Sequence, residues 1–342
     1  MKTVKFGERE VGVGCPAWVI AEIGGNFLDV ETGCRLVDLA IDCGCDAVKL
    51  QTYRAETIAS RKAMYDMPNV GKASQFDLFK KYELSFEVHQ AIWEYCRERG
   101  IFIFSTPSHR DDVELLERLG CAAYKIGSDD AVNLPFLREV AARGKPVLLS
   151  TGMCTLEEVR ESVSTILAVN SELALLHCVT NYPCAIEDVN LMCIRRMQEE
   201  FGIPVGFSDH TLGTIASEAA VAAGAHIIEK HFTYDKNADG PDHMLSLDPT
   251  EMKEMVRNIR LIEAALGDGV KRPALGEKTT RINNRKSLVS TRTIEAGEIL
   301  SEDNVAIKRP GTGIPPKYID QVLGRSARRR IEAEEPICWE DV

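Results

Sequence analysis

Two histidines, His210 and His231, each close a short apolar run, and each follows by two residues a polar side chain, Ser208 or Glu229. Side chains alternate faces along a strand, so Ser208 shares a face with His210, and Glu229 with His231. On adjacent strands the two imidazoles converge and can hold a divalent metal, with other positions left for water and substrate. A lone histidine is more often a hydrogen-bonded structural residue; two in register at neighbouring strand ends favour a ligand pair. His177 falls on the opposite parity from Thr180, and His226 near the start of its run; both read as structural. His243, on a loop in GPDH, is open.

Lys49 and Lys125 lie inside otherwise apolar runs, where an ammonium is costly unless something anionic answers it. A salt bridge to Glu22 or Asp130 would do so. Hydroxyls stand at the same ends, however: Thr106, Ser128, Ser150 and Ser208. Two ammonium groups with several hydroxyl donors make a cradle for a phosphate and a carboxylate. Backbone N–H groups around Gly127 in KIGS add to it, although no Walker or GxGxxG loop is present.

These residues need a scaffold that gathers strand ends. Eight apolar runs supply it: 18–24, 46–52, 101–107, 122–128, 146–152, 173–180, 204–210 and 225–232, with segments of helical period between them. Strand and helix alternating eight times predict an α/β (β/α)8 TIM barrel, whose chemistry sits at the C-terminal ends of its strands. So many functional groups at one end of a barrel predict an enzyme.

A barrel needs about 250 residues, and the chain has 342. The reading is a barrel domain over 1–266, a polar, Gly- and Lys-rich linker over 267–285, and a small second domain of short β-like runs over 286–342 with little core of its own. Residues 53–84 form an abnormally long connection after the second strand, read as a lid or a subunit contact. With 41 basic and 52 acidic residues the net charge is −11, which argues against nucleic acid or anionic membrane as partner. No apolar run approaches the ~18 residues of a membrane span. The opening MKTVKFGEREVGVG lacks the apolar stretch of a signal peptide, so a cytoplasmic protein is expected, its eleven cysteines remaining thiols.

The motifs AEIGGN, VKLQTY, FSTP, YKIGS, LSTGM, GFSDHT, EKHFT and GPDH, followed by KRPGTGI, resemble the sialic acid (nonulosonic acid) synthases, and the match spans nearly the whole chain. The resemblance implies a barrel joined to a small antifreeze-like, or SAF, domain that covers the partner's active site in a domain-swapped homodimer. It implies condensation of phosphoenolpyruvate with an N-acylated mannosamine-type aldose, using a divalent metal: Mn2+ foremost, with Mg2+ or Co2+ as alternatives. Carried onto this chain, it makes His210 and His231 the metal ligands, with Glu22 acting through a water on the metal. Lys49, Thr106, Lys125, Ser128, Ser150 and Ser208 would bind phosphoenolpyruvate. Gln51, Tyr182 and Asp242 would hold the sugar, and the partner chain's copy of Arg309 would reach its acylamino group.

Two departures touch the sugar. Members that form N-acetylneuraminate usually have Glu where this chain has Asp130, preceded by Asp129. Many have Asn where it has Thr180. The aldose therefore stays open among N-acetylmannosamine, its 6-phosphate and diacetamido-trideoxyhexoses. A deoxyoctulosonate- or deoxyheptulosonate-type synthase is disfavoured by KRPG and the paired histidines. A metal-dependent amidohydrolase is disfavoured because the first strand ends AEIGGN, without HxH. A catalytically inactive barrel acting as a binding protein is disfavoured because every catalytic position is filled.

Overall fold

In the computed structural model, residues 2–67 and 71–342 are described. The eight runs form the strands β1 (Trp18–Glu22), β2 (Ala47–Thr52), β3 (Phe102–Pro107), β4 (Tyr124–Ile126), β5 (Val147–Ser150), β6 (Leu173–Cys178), β7 (Val205–Asp209) and β8 (Ile227–His231). All pair in parallel, and β8 returns to β1, so the sheet closes into a barrel. Both faces of such strands are covered, which is why they read as continuous apolar runs and not as alternation. The shortest, β4, keeps three of the seven residues expected.

Helices α1 (Val30–Asp42), α2 (Phe86–Arg99), α3 (Arg110–Arg118), α4 (Leu134–Ala141), α5 (Leu156–Leu167), α6 (Met192–Phe201), α7 (Ile215–Ala222) and α8 (Pro249–Leu266) follow the strands in turn. At six of the eight, all but α6 and α7, the start is set by a side chain that takes up an otherwise orphaned backbone N–H group. Asp29 accepts from Thr32 N, and Ser85 from Val88 N. Thr155 with Glu158, and Asp248 with Glu251, form capping boxes. Each helix lays an apolar stripe on the barrel, as Leu36, Val37 and Ala40 do from α1. No helix among the described residues is long and apolar enough to cross a membrane.

An N-terminal hairpin, Val4–Phe6 with Arg9–Val11, contributes a fully buried Phe6 whose ring centre lies 4.8 Å from that of Trp18. Trp18 in turn stacks on Phe104 and meets the edge of Phe102. These rings sit at or near the N-terminal ends of β1 and β3 and pack the barrel there, leaving the site to the opposite end.

The long connection after β2 folds into a short helix (Ala55–Ile58), a hairpin (Met64–Met67 with Gly71–Ser74) and a helix (Gln75–Tyr82). Residues 68–70 of it lie outside the described residues.

The chain divides into two compact units, Met1–Gly267 and Asp268–Val342. In the second, β9 (Ser287–Ser290) pairs antiparallel with β10 (Val305–Lys308). The weak core expected there is corrected: Leu288, Ile294, Leu300, Ile314, Ile331 and Ile337 belong to a buried cluster of its own. Part of the stretch read as linker is a helix, Lys278–Asn284, with every side chain exposed.

Candidate active site

Strand pairing sets the chemistry in rows. His231 is level with Glu22 across β8 and β1, Glu22 with Lys49 across β1 and β2, Gln51 with Thr106 across β2 and β3, and Ser208 with Glu229 across β7 and β8. The C-terminal strand ends and the segment after β2 enclose a cavity of about 610 Å³, a size suited to small-molecule substrates. Glu22, Lys49, Gln51, Thr106, Lys125, Ser128 and Ser150 line it from β1 to β5; Thr180, Tyr182, Ser208, His210, His231 and Asp242 complete it.

The lysines are buried and bracketed by carboxylates. Lys49 pairs with Glu22 and stands 4.0 Å from Glu229, while Lys125 lies 3.3 Å from the other Glu229 oxygen. Lys49 also donates to Thr106 Oγ1 at 3.1 Å. Burial acts to lower Lys49, but Glu22 and Glu229 outweigh it and hold the ammonium above its ordinary range. Burial, aided by the neighbouring Lys49 charge, lowers Lys125 despite Glu229. Glu22 accepts from Gly24 N at 2.7 Å and from Gln51 Nε2 at 3.4 Å. Burial raises its carboxyl above the usual range even with Lys49 beside it. Burial also acts to raise Glu229, yet Lys125, Lys49 and the Ser208 hydroxyl, 2.8 Å away, draw it down to about 2. The two buried carboxyls are thus shifted in opposite directions, Glu22 up and Glu229 down.

The imidazoles converge from β7 and β8 with ring centres 5.6 Å apart, and Tyr182 lies 4.1 Å from the His210 ring. His210 Nδ1 is 2.8 Å from the Val179 carbonyl. Donating there assigns its proton to Nδ1 and keeps a lone pair on Nε2. Burial, followed by the nearby His210 and Lys49, pushes His231 well below its ordinary range, so it is neutral. Burial acts to lower His210, but Cys178 and the Val179 carbonyl outweigh it and hold that ring above its ordinary range; donors on two rings at this spacing fit one ion once both rings are neutral. Among the described residues no group of three or more His, Cys, Asp or Glu could hold an ion, so water and substrate would have to complete the coordination. Asp242, 3.6 Å from His231, is pushed up to about 7 by burial and by Glu22.

Of the six buried side-chain atoms without a hydrogen-bond partner among the described residues, Ser150 Oγ, Glu229 Oε2 and His231 Nδ1 belong to this cavity, and a fourth, Glu22 Oε2, meets the Lys49 ammonium. Buried polar atoms are normally satisfied, and the concentration of exceptions in one mouth is what a ligand would relieve.

One of the expected residues is placed elsewhere. Asp130 is absent from the lining; its carboxylate accepts from Asn133 Nδ2 at 2.8 Å, and Asp129 faces the cavity instead. The turn after β4 decides this, because a 3-10 turn over Ser128–Asp130 replaces period-2 alternation. Arg309 belongs to the second unit, where it is exposed. The remaining histidines are structural: His89 bonds the Thr52 hydroxyl, His109 accepts from Asp111 N at the start of α3, His177 bonds the Val189 carbonyl, His226 the Gln198 amide and His243 the Thr233 hydroxyl.

Glu229 was legible as sharing a face with His231 but had no role assigned. Cys178 has no sequence signal, Asp129 stands out there only as the neighbour of Asp130, and the segment after β2, read as a lid or subunit contact, names no individual lining residue. Gly152 has a local reason: a Cβ there would strike the Thr180 hydroxyl and Ser128.

Comparison with known proteins adds to this geometry. The model of the NeuB family matches residues 36–271, and that of the SAF domain residues 285–342. The chain belongs to the NeuB family. It is 45% identical to an uncharacterized protein of Methanocaldococcus jannaschii, over 100% of this chain and 99% of that one. It is 38% identical to the N,N'-diacetyllegionaminic acid synthase of Legionella pneumophila, over 98% and 97%. Among solved structures, the N-acetylneuraminic acid (sialic acid) synthetase of Leptospira borgpetersenii superposes with a TM-score of 0.75 at 31% identity, over 82% of this chain and 95% of that one. Several of the chain's named relatives are nonulosonic acid synthases.

Proposed function

We propose that this NeuB-family chain condenses phosphoenolpyruvate with an N-acylated aldose, giving a nonulosonic α-keto acid and phosphate. The observation that carries the reading is one mouth holding two buried lysines and four hydroxyls beside two buried, converging imidazoles.

Phosphoenolpyruvate binds to Lys49, Lys125, Thr106, Ser128, Ser150 and Ser208, whose charges and hydroxyls answer its phosphate and carboxylate. The aldose, in open-chain form, lies against Gln51, Thr180, Tyr182 and Asp242. C3 of the enol attacks the aldehyde carbon, and the aldehyde oxygen becomes a hydroxyl with the proton that the attacking water gives up through Glu22. A divalent ion, Mn2+ foremost, held by His210 and His231, supplies Lewis acidity toward that oxygen when bound. As phosphate draws Lys49 away from Glu22, burial acts on Glu22 with less opposition, and it becomes the stronger base. Glu22 then takes a proton from the water that adds to C2. The tetrahedral product loses phosphate with its bridging oxygen and leaves the ketone. Lysine charge and fixed geometry do most of this work.

The SAF unit of a second copy closes the mouth in a swapped homodimer and brings its Arg309 to the acylamino group. The experiment is phosphate release from phosphoenolpyruvate with each aldose, with and without Mn2+, and mass spectrometry of the keto acid. Release that needs both aldose and metal, and that is lost in His210→Ala and His231→Ala chains which still fold, is expected. Release independent of aldose would overturn the reading.

A further inference from the structure

We propose that His243, buried outside the cavity lining, is the positioning residue that sets the Asp242 carboxylate in the mouth and, through it, the hold on the aldose; this rests on the synthase reading above. The loop between β8 and α8 carries Asp242. Its ends are tied, since Thr233 N donates to the Leu247 carbonyl at 3.0 Å and Leu247 N to the His231 carbonyl at 2.9 Å. Residues 234–246 between those ties form neither helix nor strand. What fills the loop therefore decides where Asp242 stands.

The His243 ring fills it. The residue is 3% exposed, and Nδ1 lies 2.6 Å from Thr233 Oγ1. That hydroxyl donates to the Asp235 carbonyl at 3.0 Å and accepts from Asp235 N at 3.1 Å. A carbonyl can only accept and a hydroxyl has one proton, so Nδ1 donates to Thr233. Gly240 packs against the same ring, and a Cβ there would lie 2.6 Å from its Cδ2. Tyr234 stands edge-on to it with ring centres 5.5 Å apart. One imidazole thus joins the start, the middle and the far side of the loop.

Other ties hold less, or hold elsewhere. The Asp242 carbonyl accepts from Ser246 Oγ at 2.7 Å, which accepts from Asn26 Nδ2 at 3.0 Å, and this clamp grips the side of the loop toward α8. Lys81 meets Asp239 at 3.1 Å, but their side chains are 53% and 90% exposed, and a pair so solvated holds a loop weakly.

Asp242 has little room for error. Its Oδ2 is 3.6 Å from His231 Nδ1, a buried atom without a hydrogen-bond partner, and a Cβ on Gly25 would lie 3.0 Å from the same oxygen. Misplacing such a group by about 1 Å can cost about 100-fold in rate.

The test uses the full-length protein with Mn2+, phosphoenolpyruvate and the fastest of N-acetylmannosamine, its 6-phosphate and a diacetamido-trideoxyhexose. In phosphate release, His243→Ala should lower kcat/KM for the aldose by about 10- to 100-fold while the phosphoenolpyruvate KM stays near wild type. His243→Asn, which keeps a donor at the place of Nδ1, should recover most of the loss. In an Asp242→Asn background His243→Ala should cost nothing further, because a residue acting through Asp242 has no effect once that carboxylate is gone. Thr233→Val removes the acceptor and leaves the ring; it should show the same split between substrates, and it serves if His243→Ala does not fold. Additive losses in the double variant, equal losses for both substrates, or no recovery in His243→Asn would overturn the positioning role and leave the synthase reading standing. Wild-type protein that releases no aldose-dependent phosphate with any of the three sugars would overturn both.

Discussion

Lys230 Nζ lies 3.0 Å from Asp209 Oδ2, and both side chains are completely buried. Each is the chain neighbour of a cavity histidine, on the strand face turned away from the cavity. Asp209 also accepts from the Thr211 N–H and hydroxyl, 2.8 Å each, and from Ser217 Oγ at 2.6 Å. Lys230 reaches the Thr211 carbonyl at 2.5 Å. The loop carrying His210 is thereby tied to the strand carrying His231.

Lys230→Met leaves Asp209 buried without its cation, so a loss of about 3–5 kcal/mol in stability is expected. Urea denaturation measures it. Calorimetric titration with Mn2+ should show weaker binding, and Asp209→Asn combined with Lys230→Met should recover part of the stability. Unchanged Mn2+ affinity in a folded Lys230→Met protein would show that the pair does not position the histidines.

Lys49→Met and Lys125→Met should each weaken phosphoenolpyruvate, raising its KM or lowering kcat by about 100-fold, since each removes a charge-assisted contact. The aldose KM should move less. Steady-state kinetics with both substrates varied decide this, and an unaltered phosphoenolpyruvate KM and kcat in both variants would place the anion elsewhere.

Asp112 is 3% exposed and accepts from Ser108 N at 3.2 Å; burial pushes its carboxyl from 3.8 to about 6. The native chain therefore holds this proton to higher pH than the unfolded one. The associated stability is complete below about pH 4 and is lost as pH rises through about 6. Asp112→Asn should stabilise the protein by about 2–3 kcal/mol at pH 7.5 and by little at pH 4. Denaturation at both values tests it; equal effects at the two pH values would contradict the shift.

Mixing an Arg309→Ala chain with a His231→Ala chain should restore part of the activity once subunits exchange. Each parent homodimer has two defective sites, whereas a swapped mixed dimer joins one intact barrel to one intact arginine. Activity that stays at the parents' level after verified exchange would mean that Arg309 does not act in trans.

The barrel and most of its mouth were legible in the chain, because both depend on short-range pattern. Buried parallel strands must be apolar along their length, so WVIAE, AVKLQT and LALLHC announce themselves, and period 2 puts Ser208 with His210 and Glu229 with His231. The lysines stood out because charge inside such runs is costly.

What alternation along one strand cannot state is which other strand ends its face will meet. Closure of the barrel decided that Glu22 of β1 is level with His231 of β8, more than two hundred residues later, and that Glu229 stands between Lys49 and Lys125. Beyond the strand ends the period is lost. A 3-10 turn exchanged Asp130 for Asp129, and the segment after β2 became an apolar roof only by folding back over the mouth. Residue types and periodicity follow from local backbone geometry, whereas charge pairing and cavity walls depend on contacts between distant parts of the chain, which only tertiary structure brings together.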